Sequence, residues 1–288
     1  MKLHFFASWR LRGKNFQRIK VGRKDAKTQG NTRKYLLVLV VLISQVTFGQ
    51  PADCAKNIID THGAIIRGDT CKKQMAIVLT GDEFADGGTV ILKILAKHQV
   101  KASFFLTGNF YRNPDFKSLI VKLKKDKHYL GAHSDKHLLY NDWTKRDSLL
   151  VTESEFKNDL RANYDVMKSF GVRRSEAVYF IPPYEWYNST ISRWAKDMGL
   201  QLINFSPGTR STADYTYPEM GSRYKDSNEI YKSIFDYESR KGLNGFILLI
   251  HIGTDPRRTD KFYFRLDELF TVLKQKGYTF SRINELLE

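Results

Sequence analysis

Beyond residue 75 the chain alternates short apolar runs with longer stretches in which apolar residues recur at i, i+3 and i+4. The short runs fall over 76–80, 102–107, 129–132, 178–181, 201–204, 246–251 and 278–280, and they read as seven strands. Stretches with helical spacing fall over 90–97, 116–125, 155–170, 189–198, 227–240 and 265–276. Punctuation agrees with that division: Gly171, Gly199 and Gly277 stand where three helices should stop, and Thr152 with Glu155 forms a capping-box signal ahead of the longest one. Strand and helix alternating about seven times predict a parallel sheet of βα units, closed or nearly closed into a barrel, as one domain over 75–288. The longest stretch without a predicted element, 206–225, is a loop of the length that is often functional.

Composition removes several alternatives. At 42% hydrophobic, 13% aromatic and 27% charged residues with seven prolines, the chain is neither disordered, collagenous nor a disulfide-dense mini-scaffold. The formal charge of +16 points at first to nucleic acid or an anionic membrane, but its distribution changes that picture. Residues 1–34 hold eleven Lys or Arg against one acid, Asp25, a net of +10 that leaves +6 for the rest. An apolar run over 35–46 follows, broken only by Ser44 and Gln45, and then Thr47-Phe48-Gly49-Gln50. That is the layout of a signal peptide cut after Gly49, with an apolar run too short for a membrane span of about 20 residues. The expectation is an exported, periplasmic or secreted protein divided into 1–49, 50–74 and 75–288, membrane-attached only if the leader stays uncut. A nucleic-acid-binding arm is the competing reading of 1–34; no aromatic-interleaved binding module follows it, so no nucleic-acid partner is expected.

Two cysteines, Cys54 and Cys71, stand seventeen residues apart just after the proposed cut. In an exported chain they read as a disulfide pinning the mature N-terminus, with two buried free thiols as the alternative; a lone pair without CxxC spacing is a poor metal site.

In a βα barrel, chemistry belongs on the loops after the C-terminal strand ends. Asp82 and Glu83 follow the first predicted strand, with Asp86 three further on; His133 and His137 follow the third, Pro182-Pro183-Tyr184 the fourth, and His251 ends the sixth. His133 and His137, four apart, can face one point, and Glu83 or Asp82 can add an oxygen, leaving a position open for water as a catalytic metal requires. Of two adjacent acids, one can bind metal while the other takes a proton from water. The HxxxH spacing alone is a weak signal, and Asp82-Glu83 also reads as a helix N-terminal cap. There is no GxSxG elbow, no GxGxxG after a strand and no P-loop, so neither a serine nucleophile nor a nucleotide cofactor is indicated.

These residues fall in a familiar order: from about Met75 to Leu287 the chain resembles the polysaccharide deacetylases with a NodB-like domain, carbohydrate esterase family 4. The family's Thr-Phe-Asp-Asp-Gly and Lys-Ala-Thr-Phe-Phe-x-x-Gly sequences look like Thr80-Gly81-Asp82-Glu83-Phe84 and Lys101-Ala102-Ser103-Phe104-Phe105-Leu106-Thr107-Gly108. Its His-Ser/Thr-x-x-His is matched by His133, Ser134 and His137, its Arg-Pro-Pro-Tyr by Ile181-Pro182-Pro183-Tyr184, and its Leu-x-Leu-x-His by Ile247-Leu248-Leu249-Ile250-His251. The resemblance implies a distorted (β/α)7 barrel that removes acetyl groups from a glycan with a divalent metal, commonly zinc, with cobalt or nickel as alternatives. By position it implies Asp82 as general base on a metal-bound water, Glu83, His133 and His137 as ligands, and His251 as general acid, with the Tyr184 backbone N–H on the oxyanion.

Three departures mark a divergent branch. Glu83 stands where the family has Asp, which leaves the ligand open among Asp82, Glu83 and Asp86. Ile181 replaces the motif Arg that pairs with the base, with Arg210 as the candidate replacement. The fourth motif's tryptophan has no counterpart over 204–217; Pro183, Trp186 and Tyr187, beside Tyr184, are the candidates for the substrate side, Trp186 reading equally as a packed loop aromatic. The expected partner is an acetylated poly- or oligosaccharide, hydrolysed at nitrogen or oxygen by a monomer. The competing readings are a catalytically silent carbohydrate-binding domain and a metal-independent amide hydrolase of the same fold.

Overall fold

The computed structural model describes residues 54–288; the expected n-region and signal peptide lie outside the described residues. A short hairpin opens the chain, β1 (Ile58–Ile59) and β2 (Ile65–Arg67). Seven strands then form one parallel sheet: β3 (Gln74–Gly81), β4 (Ser103–Leu106), β5 (Tyr129–Ala132), β6 (Tyr179–Phe180), β7 (Gln201–Leu202), β8 (Ile247–His251) and β9 (Thr279–Ser281). Their order is β7-β6-β5-β4-β3-β8 with β9 also on β3, and every pairing is parallel. Ala76 pairs with Ile247 on one side and Ser281 on the other, so β9 continues the β4 edge at the N-terminal end of β3.

The sheet rolls but its ends, β7 and β8, do not pair directly. The β2 segment fills that gap: Ile65 bridges to Ile203, Arg67 bridges to Phe246, and the Gly68 N–H donates to the Gly245 carbonyl at 2.7 Å. The Arg67 guanidinium fastens the seam by donating to the carbonyls of Asn244 at 2.7 Å and Gly242 at 2.9 Å. Ser206, just past β7, adds its N–H to the Ile247 carbonyl at 2.9 Å, and its hydroxyl accepts the Ile247 N–H. The expected distorted (β/α)7 barrel is therefore present, with a hairpin strand as its closing stave. The disulfide joins Cys54 to Cys71 and so ties the start of the described chain to the turn after β2.

Side-chain alternation along the strands sorts the core into two compartments. Ala76, Val78, Phe105, Tyr129, Ile181, Ile203, Ile247 and Leu249 point into the barrel, joined by Ile283, Leu286 and Leu287. Ile283 and Leu286 come from the last helix, α8 (Ile283–Leu286), whose first N–H donates to the Ser103 hydroxyl oxygen at 2.8 Å. Met75, Ile77, Leu79, Phe104 and Leu106 point outward against the surrounding helices. Those are α1 (Gly88–Lys97), α2 (Gly108–Arg112), α3 (Lys117–Lys125), α4 (Glu153–Ser169), α5 (Ser189–Asp197), α6 (Ser227–Lys241) and α7 (Leu266–Gln275). The Thr152–Glu155 capping box forms as the sequence signals. Asp82 and Glu83 are not a helix cap, since α1 begins at Gly88 after Gly87. The hairpin, α2 and α8 have no counterpart among the predicted elements; each is five residues or shorter, too brief to show a period.

Candidate active site

Asp82 leaves β3 at a place where the chain has no room for a side chain: a Cβ on Gly81 would stand 2.6 Å from Ile252 and 2.9 Å from Leu106. Glycine there lets β3 run tightly to the rim and deliver Asp82 half-exposed. One carboxylate oxygen of Asp82 accepts the Thr107 hydroxyl at 2.7 Å and the Asn109 amide at 3.3 Å. Thr107 is also the N-cap of α2, accepting the Phe110 N–H at 3.1 Å, so one β4-end residue both starts a helix and orients the acid. Arg210 does not take the place of the missing motif Arg: it is exposed, its backbone N–H donates to Ser233 at 2.9 Å, and Asp82 forms no ion pair among the described residues. Ile181, where that Arg would stand, is fully buried in the barrel interior.

His133 and His137 follow β5, their rings 5.1 Å apart. The Ile181 carbonyl lies 2.9 Å from His133 Nδ1 and can only accept, so Nδ1 carries the proton and Nε2 keeps its lone pair for a ligand. Burial, followed by the neighbouring His137, holds the His133 imidazole well below its ordinary range, which keeps it neutral as a ligand must be. His137 is also lowered, by burial first, with the nearby Asp82 charge opposing. The loop needs unusual backbone, because Ser134 (φ 75°) and His137 (φ 55°) are both left-handed and neither is glycine. Asp159 of α4 supports it, accepting the Ser134 hydroxyl at 2.6 Å and the N–H groups of Asp135 and Lys136 at 3.0 Å each. One turn further on α4, Asn163 accepts the His133 N–H at 3.0 Å.

His251 ends β8, the neighbour of β3, where it is in register with Thr80. Its Nδ1 lies 2.6 Å from Asp214 Oδ1, and its backbone N–H donates to Asp214 Oδ2 at 2.8 Å. A carboxylate only accepts, so Nδ1 donates and Nε2 is the atom left to face substrate. Burial alone would lower the imidazole, but the charge and hydrogen bond of Asp214, with Glu185 adding, outweigh it and raise His251. Asp214 is buried, on the short 3-10 turn Ser211–Tyr215 inside the long loop after β7. A fully buried guanidinium pins that loop: Arg258 donates to the carbonyls of Thr216 and Lys225, the latter at 2.9 Å. Glu185 completes this side, its carboxyl pushed up to about 7 by burial and by Asp214, against the opposing pull of His251.

Tyr184 lies beside the histidine loop. It is left-handed (φ 60°), its ring sits 4.4 Å from His137, and its N–H makes no hydrogen bond among the described residues. Pro183 is buried at the start of that turn. Two residues expected on the substrate side are placed elsewhere. Tyr187 is 1% exposed and donates its hydroxyl to Asp60 of the hairpin turn, which removes it from any sugar. Trp186 is half-buried, its indole N–H donating to the Asp142 carbonyl at 3.1 Å and its face covered by the Arg146 guanidinium at 4.0 Å. Asp86 is likewise committed elsewhere, to the Thr254 N–H at 2.8 Å, the Tyr263 hydroxyl at 2.9 Å and Lys261 at 2.9 Å, which takes it out of the choice of metal ligand.

The donor chemistry fits a divalent metal, with two neutral imidazoles beside the rim carboxylates Asp82 and Glu83. Glu83 is exposed, and among the described residues no group of three donors is drawn together closely enough to hold an ion. Asp214, Glu185, Asp159 and Asn163 were not anticipated from the sequence. For Asp159 and Asn163 a signal existed: they sit four apart within the apolar stripe Phe156, Leu160, Tyr164 and Met167 of α4.

Residues 69–203 match the polysaccharide deacetylase family model. The chain is 27% identical over 246 residues to the peptidoglycan-N-acetylmuramic acid deacetylase PdaA of Bacillus subtilis, an alignment covering 83% of this chain and 81% of that protein. It is 25% identical over 198 residues to a Bacillus cereus peptidoglycan-N-acetylglucosamine deacetylase, covering 68% and 80%. Among solved structures, a carbohydrate esterase family 4 pseudoenzyme of Bacillus anthracis superposes with a TM-score of 0.61 at 20% identity, over 80% of this chain and 70% of that one. Residues 69–203 thus carry a polysaccharide deacetylase domain, from a family of hydrolases, and the fold is that of the carbohydrate esterase family 4 structures.

Proposed function

We propose that this chain is an exported, divalent-metal-dependent deacetylase that hydrolyses N-acetyl groups of an amino-sugar glycan such as peptidoglycan. The observation that supports it best is a pair of held groups at the rim, Asp82 oriented by neutral donors after β3 and the Asp214-held His251 at the end of β8. Asp82 accepts the proton of the attacking water, and the Tyr184 N–H donates to the oxygen that becomes negative in the tetrahedral intermediate. His251 Nε2–H then protonates the sugar nitrogen as the C–N bond breaks, giving acetate and the free amine. An amine is a poor leaving group without that proton, and the carboxylates of Asp214 and Glu185 favour a His251 that carries one. His133, His137 and Glu83 or Asp82 would hold the metal, which when bound supplies a Lewis acid for the acetyl carbonyl and the water. The exposed Glu83 and the lack of a gathered three-donor set favour a second reading, a silent glycan-binding domain. Acetate release by the full chain from N-acetylated chito-oligosaccharides and from O-acetylated xylan tests both. Release from the first supports the proposal; glycan binding without release from either supports the second reading.

A further inference from the structure

The loop between β5 and α4 carries Trp143, 54% exposed, an indole that neither the core nor the chemistry above uses. Its ring centroid lies 5.5 Å from Tyr184 and 5.6 Å from Trp186, the latter pair tilted by only 30°. Tyr184 in turn touches His137, so the ledge Trp143–Tyr184 is continuous with the reactive centre. The ledge is also rigid. Behind it, Trp186 is fixed by its hydrogen bond to the Asp142 carbonyl and by Arg146 on its face, and Arg146 donates to the Tyr187 carbonyl at 2.7 Å. The Asp142 carboxylate closes the turn that presents Trp143, accepting the Thr144 N–H at 2.8 Å, the Thr144 hydroxyl at 2.7 Å and the Lys145 N–H at 2.7 Å. An indole this exposed yet this firmly backed is an uncovered flat apolar surface whose conformational cost is already met by the fold.

We propose that Trp143 is a sugar-stacking subsite for the pyranose ring next to the one being deacetylated, so that the substrate is a glycan chain engaged over at least two rings. This rests on the deacetylase reading and deepens it. The apolar C–H face of a pyranose matches the indole, and the ledge begins at Tyr184, whose ring lies beside His137. Trp186, the stacking residue expected from the sequence, acts instead as the support that holds Trp143.

The test compares the full-length wild type with W143A and W143F, using the di- and tetrasaccharides of N-acetylglucosamine. W143A is expected to raise KM for the tetrasaccharide by about tenfold, on the scale of aromatic contacts plus the area they bury, and to collapse the preference for longer chains. W143F should recover much of it. Quenching of tryptophan fluorescence by the tetrasaccharide, read without turnover, should be strong in the wild type and largely lost in W143A. Quenching without acetate release would keep the subsite and defeat the deacetylase reading. Release with the same length preference in W143A as in wild type would overturn the subsite and keep that reading. A wild type that neither binds nor hydrolyses the tetrasaccharide would count against both, and an equal loss on both chain lengths would mark Trp143 as merely structural.

Discussion

The two held groups at the rim are built differently. On the acid side, His251 is clamped by a buried carboxylate, a second carboxyl stands nearby, and a fully buried arginine holds the loop that brings Asp214 in. On the base side, Asp82 is half-exposed and held by a hydroxyl and an amide, and the position of the family's motif arginine has become core isoleucine. The acid is thus charge-paired and preorganised, while the base is only oriented. Under the proposed roles, the buried charge stands beside the group that would deliver a proton to the leaving group, as hydrolysis of an amide demands.

Substitution of each side on two kinds of substrate probes that contrast most strongly. Asp82→Asn is expected to lower acetate release on the order of 10²–10⁴-fold from both N-acetyl glycan and p-nitrophenyl acetate. His251→Ala should fall by a similar factor on the glycan but far less on p-nitrophenyl acetate, whose leaving group departs without a proton. Equal losses for His251→Ala on the two substrates would refute its role as general acid.

Asp214→Asn should produce a smaller, pH-shaped effect. As the proposed general acid His251 would work protonated, and Asp214 raises it most against burial, so its loss lets the imidazole deprotonate at lower pH. The basic limb of the kcat profile is expected to move to lower pH, with about tenfold less activity above neutrality and little change on the acid side. An unmoved basic limb would mean that Asp214 only supports the loop.

Asp159→Ala addresses the histidine loop after β5. It strands the buried Ser134 hydroxyl and the Asp135 N–H and releases a loop with two left-handed residues, a cost of about 2–3 kcal/mol. In a domain of this size that is roughly 5–10 °C in Tm, readable by calorimetry. An unchanged Tm would show that the loop holds its shape without α4.

The strands and the family motifs were legible because each is a local pattern: a short apolar run followed by polar residues at the rim. Asp214 was not, because its meaning depends on His251, 37 residues away, and on a loop with no periodicity. Glu185 was hidden in the same way, since only the left-handed turn at Tyr184 and Glu185 brings it to the acid side. The aromatic residues were misordered for a related reason. The pattern Tyr184, Trp186, Tyr187 names three rings on one loop, but the fold buries Tyr187 against the hairpin and brings Trp143 from another loop. The closing hairpin strand β2, three residues long, had too little sequence to announce itself.

The proposed chemistry is a metal-dependent hydrolysis run between Asp82 and His251. The most direct measurement is acetate release from N-acetylchitotetraose by the metal-stripped full chain, before and after zinc is restored, alongside His133→Ala treated identically. No release is expected without metal, with recovery on zinc in the wild type and no recovery in His133→Ala. Release by the stripped wild type at the rate of the zinc-restored protein would contradict it.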